Sequence, residues 1–229
     1  MGRIANYVPK DKNYVTLGGI VKSELKFIAE FNGTKIYETE LEVSRLSGNV
    51  DLLHIFISDR MENFSSVLVG NFLKIEGNIR SSQYRDETGK RRSKIYVNTR
   101  RIVDVNDYSV GCIHENNVEL EGVLYKKPLL RKTKTNVVKV TNGDPVKGDI
   151  AELMLLVSNG YGKYEHIPVI VWSQNAKYIS SFDEGTKVSV TGRFQSRRYL
   201  KHIGDEIKEL VAYEVSASTV EVLDSDGGN

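Results

Sequence analysis

Gly70-Asn71-Phe72-Leu73-Lys74-Ile75-Glu76-Gly77-Asn78-Ile79-Arg80-Ser81-Ser82-Gln83-Tyr84 returns 115 residues later as Gly185-Thr186-Lys187-Val188-Ser189-Val190-Thr191-Gly192-Arg193-Phe194-Gln195-Ser196-Arg197-Arg198-Tyr199. Both glycines, one serine and the closing tyrosine coincide. Leu73, Ile75, Gly77 and Ile79 alternate with Lys74, Glu76, Asn78 and Arg80, a period of two that predicts a strand with one buried face. Val188, Val190, Gly192 and Phe194 do the same against Lys187, Ser189, Thr191 and Arg193. A glycine on the inward face of such a strand fits a sharp coil at a barrel corner, where a side chain would collide.

Two further blocks repeat in the same order. Val15-Thr16-Leu17-Gly18-Gly19-Ile20-Val21 matches Val118-Glu119-Leu120-Glu121-Gly122-Val123-Leu124, and Leu41-Glu42-Val43-Ser44 matches Leu155-Leu156-Val157-Ser158. Three blocks in one order define a tandem repeat. The halves differ mainly by an insertion near Lys134–Gly148. One domain is expected over 12–105 and another over 116–223, with a linker at 106–115 and a frayed tail at 224–229. Asn32-Gly33 between apolar runs predicts a hairpin turn, and Asn142-Gly143 repeats the signal. Ser58 is placed to cap a helix carrying Met61, Phe64 and Leu68 inward, with Gly70 beyond it. Ser173, Ala176, Ile179, Phe182 and Gly185 repeat that plan. Three strands, a helix and two more strands per half predict an all-β chain of two tandem OB-fold five-stranded barrels, each with a short helix.

Thirty-two Lys and Arg against 30 Asp and Glu leave a net charge of +2, which excludes a polybasic tail but not a local basic groove. Cys112 stands alone, so no internal disulfide forms and a cysteine-built zinc site is excluded within the chain. His54, His114, His166 and His202 show no metal-ligand spacing. No apolar run approaches the ~20 residues of a membrane span, and Met1–Pro9 lacks a signal sequence's apolar core, so a cytoplasmic location without membrane contact is expected.

Strand side chains alternate, so Arg193, Gln195, Arg197 and Tyr199 share one outward face, matched by Asn78, Arg80, Ser82 and Tyr84. Cations for a phosphate track beside flat rings for unpaired bases suit single-stranded nucleic acid. Arg85, Lys90, Arg91, Arg92 and Lys94 flank a hairpin with its tip at Asp86-Glu87-Thr88-Gly89, and Lys126, Lys127, Arg131, Lys132 and Lys134 cluster in the second half. A charged strand edge that blocks aggregation is the competing reading for any one lysine. Trp172 ends Ile167-Pro168-Val169-Ile170-Val171, apolar on both faces, and physics alone puts it in the core. Tyr161 and Tyr164 sit in a glycine-containing loop, equally a hairpin tip or an arm around a bound strand.

Gly192-Arg193-Phe194-Gln195-Ser196-Arg197-Arg198-Tyr199 resembles the Gly-Arg-Leu-x-Thr/Ser-Arg-x-aromatic strand of the bacterial single-stranded DNA-binding protein family. Pro128-Leu129-Leu130-Arg131-Lys132-Thr133 resembles its Pro-x-x-Arg-x-Thr segment, and Ile167–Ser173 its strand ending in an aromatic and a small residue. In the first half Glu24-Leu25-Lys26-Phe27, Asn32-Gly33 and Tyr84-Arg85-Asp86-Glu87-Thr88-Gly89-Lys90 resemble corresponding motifs. The resemblance implies base stacking by Trp172, Tyr199 and Tyr84. It implies phosphate contacts by Arg131, Arg193 and Arg197 and, by carry-over, Arg80; Lys132, Arg85 and Arg92 of the basic clusters are expected to add to the same track. It implies four barrels per assembly, hence a homodimer of this chain.

Departures are visible. The first half has Asn78 and Ser82 where the second has Arg193 and Arg197, and Ile57 is read opposite Trp172, so the second domain is expected to bind more strongly. The family's acidic tail with a hydrophobic tip has no counterpart at Asp226-Gly227-Gly228-Asn229; recruitment of partners through such a tip is not expected, and a phage- or mobile-element-type variant fits. No Gly-x4-Gly-Lys-Ser/Thr loop, Gly-x-Ser-x-Gly elbow or His-Glu-x-x-His occurs. Asp51 and Glu165 precede equivalent strands without an evident partner and read as solvated edge charges. The expectation is a non-catalytic, cofactor-free and metal-free binder of single-stranded DNA, serving replication, recombination or repair. The alternatives are a protein-interaction module of a replication or conjugation complex and, lower, a metal-dependent nuclease.

Overall fold

The computed structural model describes residues 12–85, 89–106, 114–132, 148–159, 162–203 and 206–223. The hairpin tip at 86–88, Cys112, most of the expected linker, Thr133, the insertion with Asn142-Gly143, Tyr161 and the tail lie outside the described residues. The first half runs β1 (Asn13–Val21), β2 (Lys26–Phe31), β3 (Thr34–Ser44), β4 (Val50–Ser58), a 3-10 turn (Phe64–Ser66), β5 (Phe72–Arg85) and β6 (Arg91–Asn106). The second runs β7 (Glu115–Leu124), β8 (Leu129–Lys132), β9 (Asp149–Ser158), β10 (Tyr164–Trp172), α1 (Ser173–Ser180), β11 (Lys187–Ile203) and β12 (Glu206–Val222).

The strands form one sheet in the order β2-β3-β4-β6-β5-β1-β7-β11-β12-β10-β9-β8, a palindrome under the repeat. Each half closes on itself through β1–β3 or β7–β9, making two OB-type barrels joined along β1 and β7, which pair antiparallel from Asn13↔Leu120 to Gly18↔Glu115. Each half shows six strand segments where five were expected, and the extra one is a bend. β1 pairs with β3 at Val21↔Leu41, and β2 continues along the same strand from Lys26↔Glu38. β7 and β8 do likewise along β9. A single first strand thus serves both the barrel and the hairpin beside it.

The repeated glycines sit where backbones cross. A Cβ at Gly77 would meet the Asn98 carbonyl oxygen, and one at Gly192 the Ser216 carbonyl oxygen, far inside van der Waals contact. Both lie at breaks in the pairing of the long strands, where a bulge tightens the coil. The expected turn at Asn32-Gly33 forms, with φ of 50° and 71° and Phe31 paired to Thr34, the two-residue primed geometry that matches strand twist. Inward residues such as Leu17, Leu53, Ile75, Leu120, Val190 and Phe194 are fully buried; each such side chain contributes about 1.5–3 kcal/mol by leaving water.

The helices differ. α1 buries Ala176 and Ile179, with Phe182 packed at the core margin, as its spacing predicts. Its counterpart shrinks to one 3-10 turn because Asn63 adopts a left-handed φ of 64°, a conformation that cannot propagate a right-handed helix. Met61 and Phe64 still pack on the core, but Val67 is buried in place of Leu68, which is exposed. Among the described residues no helix is long and apolar enough to cross a membrane.

Candidate nucleic-acid interface

The outward faces of the sheet meet where the halves join, and the join fixes their geometry. Asn13 clamps Ile79, donating from Nδ2 to its carbonyl (2.9 Å) and accepting from its N–H (2.8 Å). Asn116 clamps Phe194 in the same way at 2.7 and 2.8 Å. Asp51 and Glu165 are not solvated edge charges: Asp51 is 0% and Glu165 6% exposed. Each reaches across to the serine of the other half's long strand. Asp51 Oδ1 accepts from the Ser196 N–H at 2.8 Å, and Glu165 Oε2 from the Ser81 N–H at 2.7 Å and Oγ at 2.9 Å. Their partners lie in the other half of the chain, which no local pattern reveals.

Arg80 belongs to this contact. Its Nη1 donates to Glu165 Oε1 at 2.9 Å, and Asn159 Nδ2 adds a bond at 3.3 Å. Burial alone would raise the Glu165 carboxyl, but the Ser81 N–H, Arg80, the Ser81 hydroxyl and Asn159 together hold it below the usual carboxylate range.

A groove of 1260 Å³ opens over the second half and is walled by the first. Trp172, Arg193, Arg197 and Tyr213 line it from the second half, and Arg45 of the β3–β4 loop and Val50 at the start of β4 from the first. Trp172 is half-buried, not in the core; its Nε1 donates to Ser216 Oγ at 3.2 Å. Arg193 makes no ion pair among the described residues; its Nη2 donates to Gln195 Oε1 at 3.4 Å. Burial and then the neighbouring Arg45 charge lower its pKa, and Asp51 only partly offsets them. Arg197 is neutralised by the buried Glu214 (2.8 and 3.2 Å), and its guanidinium lies 5.6 Å from the Tyr199 ring centre.

A second cavity of 660 Å³ brings Tyr84, Arg92 and Tyr199 together with Tyr125, Lys126 and His166. Tyr84 is exposed. The remaining expected site residues stand apart. Arg131, 3.4 Å from Glu152, and Lys132 lie exposed on β8 at the sheet edge. Arg85 donates to the Gly89 carbonyl (2.8 Å) at the base of the β5–β6 hairpin. Tyr164 is exposed at the start of β10. Among the described residues no cluster of His, Cys, Asp or Glu could hold a metal ion.

The corresponding face of the first half is built from other residues. Ile55↔Val97 and Val169↔Val215 are equivalent pairs, which sets Ser58, not Ile57, opposite Trp172; Ile57 is core. An aromatic platform stands beside that position: Phe56 and Tyr96 stack at 4.0 Å and 21°, with Lys94 Nζ 5.6 Å over the Phe56 ring. Arg100, the extra residue of the bulge between Glu76↔Arg101 and Gly77↔Thr99, donates from Nε to Asn78 Oδ1 at 2.6 Å. Asn78 occupies the place of Arg193, so the missing charge is restored from the neighbouring strand. The outward alternation of His54, Phe56 and Ser58 was a readable signal for the platform; the bulge that aims Arg100 was not.

Two OB barrels sharing one sheet, with rings and cations on their outer faces, define a class of oligonucleotide-binding architecture. No protein-family model matches the chain. Single-stranded DNA-binding protein 1 of Lactococcus lactis subsp. lactis is 31% identical over 112 residues, 48% of this chain and 69% of that protein. The single-stranded DNA-binding protein of Streptococcus mutans serotype c is 28% identical over 111 residues, 48% of this chain and 63% of that protein. The chain belongs to the bacterial single-stranded DNA-binding protein family. The wild-type single-stranded DNA-binding protein of Thermus aquaticus superposes over 96% of this chain and 97% of its own, with a TM-score of 0.70 at 20% identity. A deletion mutant of that Thermus protein gives 0.69 at 21%, over 96% of this chain and 98% of its own. That likeness extends the shared fold across both halves.

Proposed function

We propose that this chain binds single-stranded DNA without sequence preference and catalyses no reaction on it, shielding exposed strands in replication, recombination or repair. Family membership supports the reading, and one observation carries it: Arg193, without an ion pair among the described residues, lines the same groove as the half-buried Trp172, and that groove is large enough for unpaired nucleotides. In this reading Trp172, Tyr199 and Tyr84 stack on bases in the two cavities, Arg193 and Arg92 face phosphates, and Arg197, held by Glu214, braces the Tyr199 ring. Phe56, Tyr96 and Arg100 serve the first half, while Arg131, Lys132 and Arg85 extend the track along the edges. The guanidinium of Arg80 is committed to Glu165, which argues for a supporting place. Each half, 12–105 and 116–223, acts as one barrel domain, and two chains supply four barrels, a stoichiometry for light scattering to check.

Filter binding of dT oligomers of graded length at two salt concentrations tests the reading. The expected result is affinity that rises with length, falls with salt and is absent for duplex of the same length. Equal retention of duplex and single strand, or none of either, overturns it. The protein-interaction reading draws on the carboxylates that already neutralise Arg197 and Arg80; failure to retain dT oligomers at low salt would favour it.

A further inference from the structure

The contact between the halves contains the same device twice, with its cation on opposite sides. Around Asp51 the cation is Arg45 of the same half, donating from Nε at 2.6 Å; the position equivalent to Arg80 is the neutral Gln195, which donates to Glu214 instead, and Arg193 acts on Asp51 through its charge without an ion pair. Around Glu165 the same-half position is the neutral Asn159, and the cation is Arg80 from across the contact. Arg45 and Asn159 hold equivalent places, as do Arg80 and Gln195. The surrounding scaffold is unchanged: the Ser196 and Ser81 hydroxyls accept from the equivalent N–H groups of Leu52 (3.0 Å) and His166 (3.1 Å).

We propose that this opposition is a recognition code that makes the two contact faces complementary, so that a first half pairs with a second half and not with its own kind. The first-half face carries a carboxylate with its own cation and a second cation to lend; the second-half face carries a carboxylate with none. Crossed pairing gives each buried carboxylate one hydrogen-bonded arginine. Two first halves would put two arginines on each Asp51. Two second halves would bury each Glu165 with no arginine hydrogen-bonded to it, the costlier error, because a buried carboxylate that loses its ion pair is left poorly compensated. A second copy of this chain could therefore engage these faces only crosswise, first half to second.

The intact chain can test both halves of the argument. Arg80→Gln gives Glu165 the surroundings it would meet in a second-half pair: Asn159 on its own side and glutamine opposite. Its thermal midpoint at pH 7 is expected to fall by about 6–10 °C. Adding Asn159→Arg moves the cation to the place Arg45 occupies beside Asp51, and the double variant is expected to recover at least half of that loss. Asn159→Arg alone, with two cations on one carboxylate, is expected to gain nothing. The gap between wild type and Arg80→Gln should also close as the pH falls below the usual carboxylate range, where Glu165 protonates; lost packing would leave it open. A midpoint within about 2 °C of wild type for Arg80→Gln, a double variant no better than the single one, or a gap that persists in acid each overturns the proposal.

Discussion

Ser58 and Trp172 end equivalent strands, yet one is a small hydroxyl and the other the single tryptophan of the chain. Asn78 and Arg193 hold equivalent places beside them, one leaning on a bulge arginine and the other a cation without an ion pair among the described residues. Beneath these differences the inward glycines and the asparagine clamps coincide. The inward face of an OB barrel is therefore held by geometry, because a misplaced Cβ meets a carbonyl. The outward face needs only rings and cations within reach of a flexible strand, and those can be supplied from different positions.

The largest effect should be blind to the difference. Gly77→Ala and Gly192→Ala each drive a methyl into a carbonyl oxygen of the adjacent strand. Both should destabilise by about 2–4 kcal/mol, read by urea denaturation, since overpacking against backbone has no soft side chain to yield. A large asymmetry between them would break the claim that the barrels share one geometry.

Binding should then separate the halves. Trp172→Ala is expected to weaken binding to dT oligomers by about 1–3 kcal/mol with little change in salt slope, the loss of one stacked base. Ile57→Ala, buried in the core at the position first matched to it, should lower stability by about 2–5 kcal/mol and leave the affinity of the folded protein near wild type. Phe56→Ala sharpens the comparison: a binding loss equal to that of Trp172→Ala would make the first half a full partner.

Arg193→Ala and Arg100→Ala are finer probes. Each is expected to lower the slope of log K against log salt by about 0.7, one phosphate contact. A drop for Arg193→Ala alone would leave the groove assignment standing and confine phosphate binding there to the second half.

The barrel was legible because its causes are local and repeated. The alternation in Leu73–Arg80 and Val188–Phe194, the inward glycines and Asn32-Gly33 each state a backbone requirement in the residues that meet it. The seam was not legible, because Asp51 is explained by Ser196 and Glu165 by Arg80, residues brought near only by the β1–β7 join. The Trp172 counterpart was displaced by one position because the repeat spacing read from the Gly70 and Gly185 blocks does not hold along β4 and β10. One residue in a strand reverses the face, and with it core and surface.

The smallest expected effect lies at His54, whose counterpart is Pro168 and so cannot titrate. His54 is packed against Tyr213 of the other half (4.8 Å between ring centres), and its Nδ1 lies 2.8 Å from Glu38 Oε1 without the geometry of a hydrogen bond. Burial and then the Lys94 charge push its pKa below the ordinary 6.5, outweighing Glu38 and Glu40. The folded state therefore takes up a proton less readily than the unfolded chain. The stability His54 contributes is fully present above pH 6.5 and is lost as the pH falls toward the depressed value. The thermal midpoint should drop by about 1–2 °C between pH 7.5 and 5.5 in the wild type, and by less in His54→Gln. Equal drops in the two proteins would move the acid sensitivity of the contact from this ring to the carboxylates around it.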